Sequence, residues 1–311
     1  MNVGVFLNYI GLGSNILHLS YCHEIAKRYG PITIITLCKN LDQALGDDPN
    51  IKEVIIIKKN KKITDILDIS SSLKKILLDK IFIFYPSPRL YIAAKLAGIK
   101  KIYNYPLFKK KNLHLVNAAN KFTCESLNIN SCPTETKFFV NDDKINKAKK
   151  HFSKDHYNIV IGAGSSGPDT RWGGANFISL INKLNENGNY YFYIQCGPEQ
   201  NEISKNIIDK IKKKNCMDLS KMNISEIIPI LYLCDLYVGN DSFSHHITSQ
   251  CNKPSIVLLL NSPKAYSDYS KNHHRIIPEN AKIEELDHSS NYKADSISIE
   301  KVYNKIIELK N

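Results

Sequence analysis

Tyr237-Val-Gly-Asn-Asp-Ser-Phe-Ser-His-His-Ile-Thr-Ser, followed by Pro254-Ser-Ile-Val-Leu, decides the fold class. An apolar run ends in a tight Gly-Asn-Asp-Ser turn, a helical stretch follows, and a second apolar run begins within a few residues. That order is strand, helix N-terminus, helix, strand, the unit of a parallel sheet. Asp241 or Ser242 is expected to cap the helix. The uncapped N–H groups and the helix dipole there also suit an anion. A plain N-cap and a diphosphate cradle fit the same residues. His245 and His246 are adjacent, so on a helix they diverge by about 100°. No carboxylate or cysteine stands at i+3 or i+4 from them, so no metal is expected.

The same rhythm extends in both directions. Strands are expected at Val3–Leu7, Ile32–Thr36, Glu53–Ile57, Lys80–Phe84, Lys101–Asn104, Tyr157–Gly162, Tyr190–Gln195, Leu236–Val238 and Ser255–Leu260. Helices are expected at Ile16–Tyr29, Ile63–Leu78, Leu90–Ala97, Leu113–Leu127, Ala175–Asn187, Glu199–Lys213, Ile224–Leu233 and Ser242–Gln250. The pattern weakens between Asn128 and Asp155, where Thr136–Val140 reads as a short strand and Lys144–Phe152 as a basic helix. The 311 residues therefore divide into two α/β domains, 1–148 and 149–311. The last helix, Ile299–Leu309, is amphipathic and could pack back on the first domain. Ligands bind open α/β sheets at the carboxyl ends of their strands.

Three further loops sit at such ends. Gly162-Ala-Gly-Ser-Ser-Gly-Pro-Asp-Thr-Arg-Trp-Gly-Gly-Ala-Asn-Phe carries the single Trp, Trp172, beside Arg171. Its glycines would let backbone N–H groups approach phosphate, or it is an ordinary turn over a core Trp. Gln195-Cys-Gly-Pro-Glu-Gln-Asn-Glu places Glu199 and Glu202 at a helix start, where ribose hydroxyls or the dipole alone explain them. Gly11-Leu-Gly-Ser-Asn-Ile-Leu-His follows the first strand.

The net charge of +12 invites a nucleic-acid reading. Only four of the 42 basic residues are Arg, and the Lys are dispersed. Phosphate readers favour Arg for its bidentate fork, so nucleic acid is not expected as a partner. The run Lys109–Lys111 suits a phosphorylated glycan or an anionic membrane surface. The eight cysteines form no C-x-x-C pair and are expected as free thiols in a reducing cytoplasm. The N-terminus lacks the basic and small-residue features of a signal peptide, and no apolar stretch approaches about 18 residues.

Taken in order, these four loops resemble glycosyltransferase family 9, the lipopolysaccharide heptosyltransferases. Gly11–Ser20 is similar to the family's Gly-Asp-Val-x-His-Thr-Leu-Pro loop, and Thr170-Arg-Trp-Gly-x-x-x-Phe to Lys-x-Trp-Pro-x-x-x-Phe. Gly197-Pro-Glu-Gln-Asn-Glu is similar to the Gly-x-x-x-Glu strand end. Asp241-Ser-Phe-Ser-His-His and Lys253-Pro resemble Asp-Ser/Thr-Gly-x-x-His and Lys-Pro. The stretch from Leu260-Asn-Ser-Pro-Lys to His274-Arg resembles the loop after the last core strand.

The resemblance implies a GT-B fold, two Rossmann-like domains whose parallel sheets face a central cleft. It implies an inverting transfer of a heptose-like sugar from an ADP-heptose-like donor to a lipopolysaccharide or other cell-envelope glycan, without cofactor or obligatory metal. The donor would be held by Thr170, Arg171, Glu199, Glu202, Asp241, Ser242 and His246. The acceptor, a lipid-linked or phosphorylated glycan, would meet Gly13, Asn15, Lys109, Lys110 and Lys111. The setting is cytoplasmic, peripheral to the inner membrane. Ser14 takes the place of the family's catalytic Asp, or Asn15 after a one-residue shift, and neither is a carboxylate base. His18 is a substitute base, or a helix-surface His. Phe243 replaces a Gly and Gly173 a Pro. A degenerate module that binds a sugar nucleotide or glycan without transfer is the rival reading, and a nucleotide-sugar hydrolase or epimerase of the same fold is a third.

Overall fold

The computed structural model describes residues 1–58, 65–105 and 114–311, so Lys109, Lys110 and Lys111 lie outside the described residues. The chain forms two compact units, Met1–Phe139 and Val140–Asn311. Each is a parallel sheet wound with helices, as the alternating pattern predicts.

The first unit holds β1 (Val3–Leu7), β2 (Ile32–Thr36), β3 (Ile51–Ile56), β4 (Lys80–Ile83) and β5 (Lys101–Asn104), in spatial order β3-β2-β1-β4-β5. The second holds β6 (Tyr157–Gly162), β7 (Tyr190–Gln195), β8 (Cys216–Asp218), β9 (Leu236–Asn240), β10 (Ser255–Leu258) and β11 (His273–Ile276), in order β11-β10-β9-β6-β7-β8. Strand order reverses between β1 and β4 in one sheet and between β6 and β9 in the other. A crevice opens at the carboxyl ends of such switch strands. Gly11–His18 follows β1, and the Gly162–Phe177 loop and the Asp241–Ser242 turn follow β6 and β9.

Differences from the sequence expectation have local causes. Thr136–Val140 is not a strand. Side chains hold its start and the residues ahead of it instead of a ladder: His23 Nδ1 bonds the Thr136 hydroxyl, and the Ser20 hydroxyl donates to the Pro133 carbonyl. The division falls before the helix Asp142–Lys149, which packs on Ile224–Leu233 of the second unit. The last helix, Ile299–Lys310, contributes to the second unit's own core. Val302 and Ile306 are buried with Trp172, Phe177 and Leu180 in the second unit's core. β11 goes unnoticed in the sequence because His273-His-Arg-Ile carries little apolar signal, yet it pairs along all of β10. Among the described residues no helix is long and apolar enough to cross a membrane.

One close approach shapes the second switch point. Gly162 of β6 and Gly239 of β9 lie opposite one another. A Cβ on Gly239 would stand 2.5 Å from the Gly162 carbonyl oxygen, and one on Gly162 would stand 1.9 Å from the Tyr237 hydroxyl. The bare backbone lets the buried Tyr237 side chain reach the turn, where its hydroxyl donates to the Asn240 carbonyl at 2.9 Å. Gly239→Ala is expected to cost about 2 kcal/mol or more by overpacking. A urea titration showing an unchanged midpoint would contradict this.

Candidate functional site

Four loops meet at the carboxyl edge of the second sheet, and buried amides lash them together. The Asn240 side chain, fully buried, donates to the Ala163 carbonyl and accepts from the Trp172 N–H, both at 2.8 Å. It therefore ties the β6 loop to the β9 turn across the switch point. Gln195 accepts from the Ser244 hydroxyl at 3.1 Å, Gln200 donates to the Ser165 carbonyl at 2.7 Å, and Asn261 donates to the Asp169 carbonyl at 2.6 Å. Every bond also satisfies a polar group that burial would otherwise penalise. Trp172 sits in the core, edge-on to Phe177, with its indole N–H on the Ile297 carbonyl. It anchors its neighbour Arg171 at the rim.

Arg171 bonds the Ser165 carbonyl through Nε and Nη2 (3.3 and 3.0 Å), and the Thr170 hydroxyl bonds Ser165 Oγ and the Gly167 carbonyl. Arg171 and Glu202 line one pocket of about 310 Å³, together with Gly173, Gly174 and Asn206. Glu199 lies on the exposed turn Pro198–Gln200 and does not line that pocket. Asn206 was not expected, although it stands one helical turn after Glu202 in Asn201–Lys210. At Gly173 φ is +91°, which a proline cannot adopt, so the loop departs from the Trp-Pro pattern in its backbone as well as its sequence.

The helix after β9 runs Phe243–Gln250. Its expected side-chain cap is absent: Ser242 is the N-cap residue but makes no capping bond. The Ser242 hydroxyl lies 3.0 Å from the Tyr237 hydroxyl instead, and the Asp241 carboxylate turns to the histidines. Asp241 Oδ1 is 2.9 Å from His245 Nε2 and 3.9 Å from His246 Nε2. The residues at i+3 and i+4 from the histidines offer no ligand, whereas Asp241 stands at i−4 from His245. So both rings, expected to diverge, meet one carboxylate in the turn ahead of the helix. Behind them, His245 Nδ1 lies 3.2 Å from His273 Nε2, and His246 Nδ1 lies 2.6 Å from the Tyr269 hydroxyl. Burial pushes Asp241 above the ordinary carboxylate range, partly offset by His246, the Ser262 hydroxyl, His288 and His273. Burial also pushes His245 down to about 3, so it is neutral at physiological pH.

In the first unit the loop after β1 is tied by hydrogen bonds to its own backbone and to β2. Ser14 is half-buried, and Asn15 is buried with its amide fully engaged. Asn15 donates to the Tyr9 and Gly11 carbonyls and accepts from the Thr36 hydroxyl at 2.7 Å. Of the two alternative registers, only Ser14 leaves a side chain at the surface; Gly13 beside it is also half-buried. The helix expected from Ile16 is split into Leu12–Ile16 and Leu19–Tyr29, and His18 lies at the break. His18 is wholly buried rather than on a helix surface, stacked on Tyr9 at 4.8 Å and edge-on to Phe84. Its Nδ1 donates to the Ser14 carbonyl at 2.6 Å, and Nε2 has no partner among the described residues. Burial pushes its pKa down to about 4 despite the Ser14 bond. The unfolded chain takes up this proton near 6.5, so the histidine's contribution falls as pH drops from about 6.5 towards 4, at roughly 1.4 kcal/mol per unit. Urea melts at pH 7 and pH 5 are expected to show a loss about 2 kcal/mol smaller in His18→Gln than in the parent; equal losses would mean that His18 does not resist protonation.

Comparisons with known proteins identify the family and the fold. Residues 94–294 match the sequence profile of glycosyltransferase family 9 (heptosyltransferase). A lipopolysaccharide heptosyltransferase 1 from Campylobacter coli is 26% identical over 186 residues, covering 55% of this chain and 53% of that protein, so the match spans about half of each. A family 9 glycosyl transferase from Veillonella parvula superposes with a TM-score of 0.79 at 18% identity, covering 99% of this chain and 96% of the other. The ADP-heptose lipopolysaccharide heptosyltransferase II of E. coli superposes with a TM-score of 0.77 at 16% identity, covering 99% and 98%. An E. coli heptosyltransferase bound to ADP-2-deoxy-2-fluoro heptose gives 0.71 at 14%, covering 99% of each. These likenesses show the GT-B fold class, with a Rossmann-like parallel sheet in each unit.

Proposed function

The chain belongs to glycosyltransferase family 9, the heptosyltransferase family, and on that footing we propose that it transfers a heptose-like sugar, with inversion, from a nucleotide diphosphate to a lipopolysaccharide or other cell-envelope glycan. The observation that carries this reading is the uncapped N-terminus of Phe243–Gln250, held through Asn240 and Trp172 beside the Arg171 loop. Free N–H groups and a guanidinium are the donors that a leaving diphosphate needs, and fixed donors stabilise charge developing in the transition state. The pocket lined by Arg171, Glu202 and Asn206 has the size and polarity to take the nucleoside. The ADP-2-deoxy-2-fluoro heptose bound to one E. coli relative, and the ADP-heptose in the name of another, favour an ADP-sugar as donor.

In this mechanism the acceptor hydroxyl attacks the anomeric carbon in line with the departing diphosphate, and gains chiefly from being oriented. The acceptor would meet the first unit near Gly13 and Ser14, with Lys109, Lys110 and Lys111 as contacts for its phosphates or for the inner-membrane surface. Ser14 cannot act as a carboxylate base, and His18, buried and neutral, sets the loop through the Ser14 carbonyl rather than meeting the acceptor. A specific observation favours the rival reading of binding without transfer: no carboxylate follows β1 in the Gly11–His18 loop. Positioned bases contribute about 10²–10⁴-fold.

The test is nucleoside diphosphate release from a panel of sugar nucleotides with truncated lipopolysaccharide acceptors. Turnover is expected with an ADP-sugar; tight donor binding without turnover across the panel would replace transfer with binding. Arg171→Ala is expected to weaken donor binding about 10-fold or more, the worth of one charge-assisted hydrogen bond, while leaving the melting temperature nearly unchanged. Unaltered donor affinity by calorimetry would remove Arg171 from the donor site.

A further inference from the structure

We propose that Asp241, His245 and His246 form a binding site for one divalent transition-metal ion at the mouth of the diphosphate cradle. Binding of the ion stands on the geometry alone, whereas its role on the diphosphate rests on the donor reading above. One ligand atom from each residue falls within 4.8 Å of the others. Ligands of a tetrahedral ion bound at 2.0–2.1 Å stand roughly 3.3 Å apart. The Asp241 Oδ1 distances to His245 Nε2 and His246 Nε2, 2.9 and 3.9 Å, bracket that value. The remaining separation, between the two imidazole nitrogens, is within 4.8 Å.

Both imidazoles are also braced as metal ligands are. A ligating histidine commonly presents one nitrogen to the ion while the other is held by a polar partner that fixes ring and tautomer. Here both Nδ1 atoms face such partners, His273 Nε2 and the Tyr269 hydroxyl. Both Nε2 atoms turn to the same carboxylate, with the rings 3.8 Å apart between centroids. The Tyr269 ring stacks on His246 at an angle of 13°. His245 falls on an unspecified position of the Asp-Ser/Thr-Gly-x-x-His pattern, so the second imidazole is a feature of this chain and not of that motif.

Two imidazoles and a carboxylate suit zinc, iron(II), cobalt or nickel better than magnesium or calcium. On binding, each neutral imidazole keeps its one proton on Nδ1, directed at His273 Nε2 or the Tyr269 oxygen, so that the Nε2 lone pairs and the Asp241 carboxylate face the ion. Three protein ligands leave a coordination position open. It would lie at the turn before the helix N-terminus, where a phosphate oxygen can complete it. The ion also resolves an electrostatic conflict. A carboxylate beside a diphosphate site repels its ligand, and a bound dication converts Asp241 from an opponent of the anion into part of its clamp.

The experiment uses tag-free, chelator-stripped full chain titrated with Co²⁺, read by visible absorption and by calorimetry, without nucleotide. One equivalent is expected, with d–d bands of nitrogen and oxygen ligation and no thiolate charge-transfer band, since the eight cysteines are the competing ligands. His245→Ala and Asp241→Asn are each expected to weaken binding about 100-fold, and His273→Ala by about 10- to 100-fold through the ring it braces. No stoichiometric binding, a thiolate spectrum, or affinity unchanged in both His245→Ala and Asp241→Asn would overturn the site. ADP is then added with and without the metal. Binding tightened about 10-fold or more by the ion supports the clamp, and equal binding in chelator overturns the clamp while leaving the donor reading intact. ADP that binds under neither condition overturns the donor reading, and the Co²⁺ titration is judged on its own.

Discussion

The second unit depends on the buried amide of Asn240. It stands at the end of β9, beside the strand across which the sheet order reverses, and spends its donor on Ala163 and its acceptor on Trp172. A parallel sheet leaves its strand ends unpaired where the order switches, and loops there need a partner other than the ladder. Asn240 provides it from inside, where a hydrogen bond between fully desolvated groups is strong and its loss costly. The placement of Trp172, and through it of Arg171, follows. So does the path of the Asp241–Ser242 turn, because Tyr237 holds the Asn240 carbonyl and the Ser242 hydroxyl together. The two facing glycines clear the space in which Tyr237 does this.

The electrostatics of the turn follow from the same packing. With Ser242 paired to Tyr237 and Asp241 paired to His245, neither side chain caps the helix, and its N-terminal dipole faces the site. The cost is a carboxylate held largely out of water, with 13% of its side chain exposed. Neighbouring imidazoles and the Ser262 hydroxyl stabilise that charge in part, and burial still outweighs them. An anion-binding end and a buried carboxylate thus share one turn, and any ligand there must satisfy both.

The first unit uses the same device with a different outcome. Asn15 closes the loop after β1 on itself and on Thr36, while His18 is packed between Tyr9 and Phe84. The loop is preorganised, yet the side chain it leaves at the surface is Ser14 rather than an acid. The helix break at Leu17–His18 turns the histidine inward, which a sequence pattern of uninterrupted helical spacing does not anticipate.

By itself the sequence determined the α/β class, nearly every strand core, the family, and the order of the loops that carry Arg171, Glu202 and Asp241. These are local properties: apolar runs of strand length, glycines at turns, and residue types in a fixed order along the chain. Tertiary structure alone decided which side chains share a site. It separated Glu199 from Glu202, buried His18 and Asn15, and brought Asp241, His245, His246, His273 and Tyr269 together from a helix, a turn and a distant strand. It also dissolved the expected strand at Thr136–Val140, where the Thr136 hydroxyl meets His23 of the helix Leu19–Tyr29 and the Pro133 carbonyl just ahead meets Ser20. Hydrogen-bond partners remote in the chain leave no periodic trace in it, and burial, which sets their charge, is a property of the packed whole.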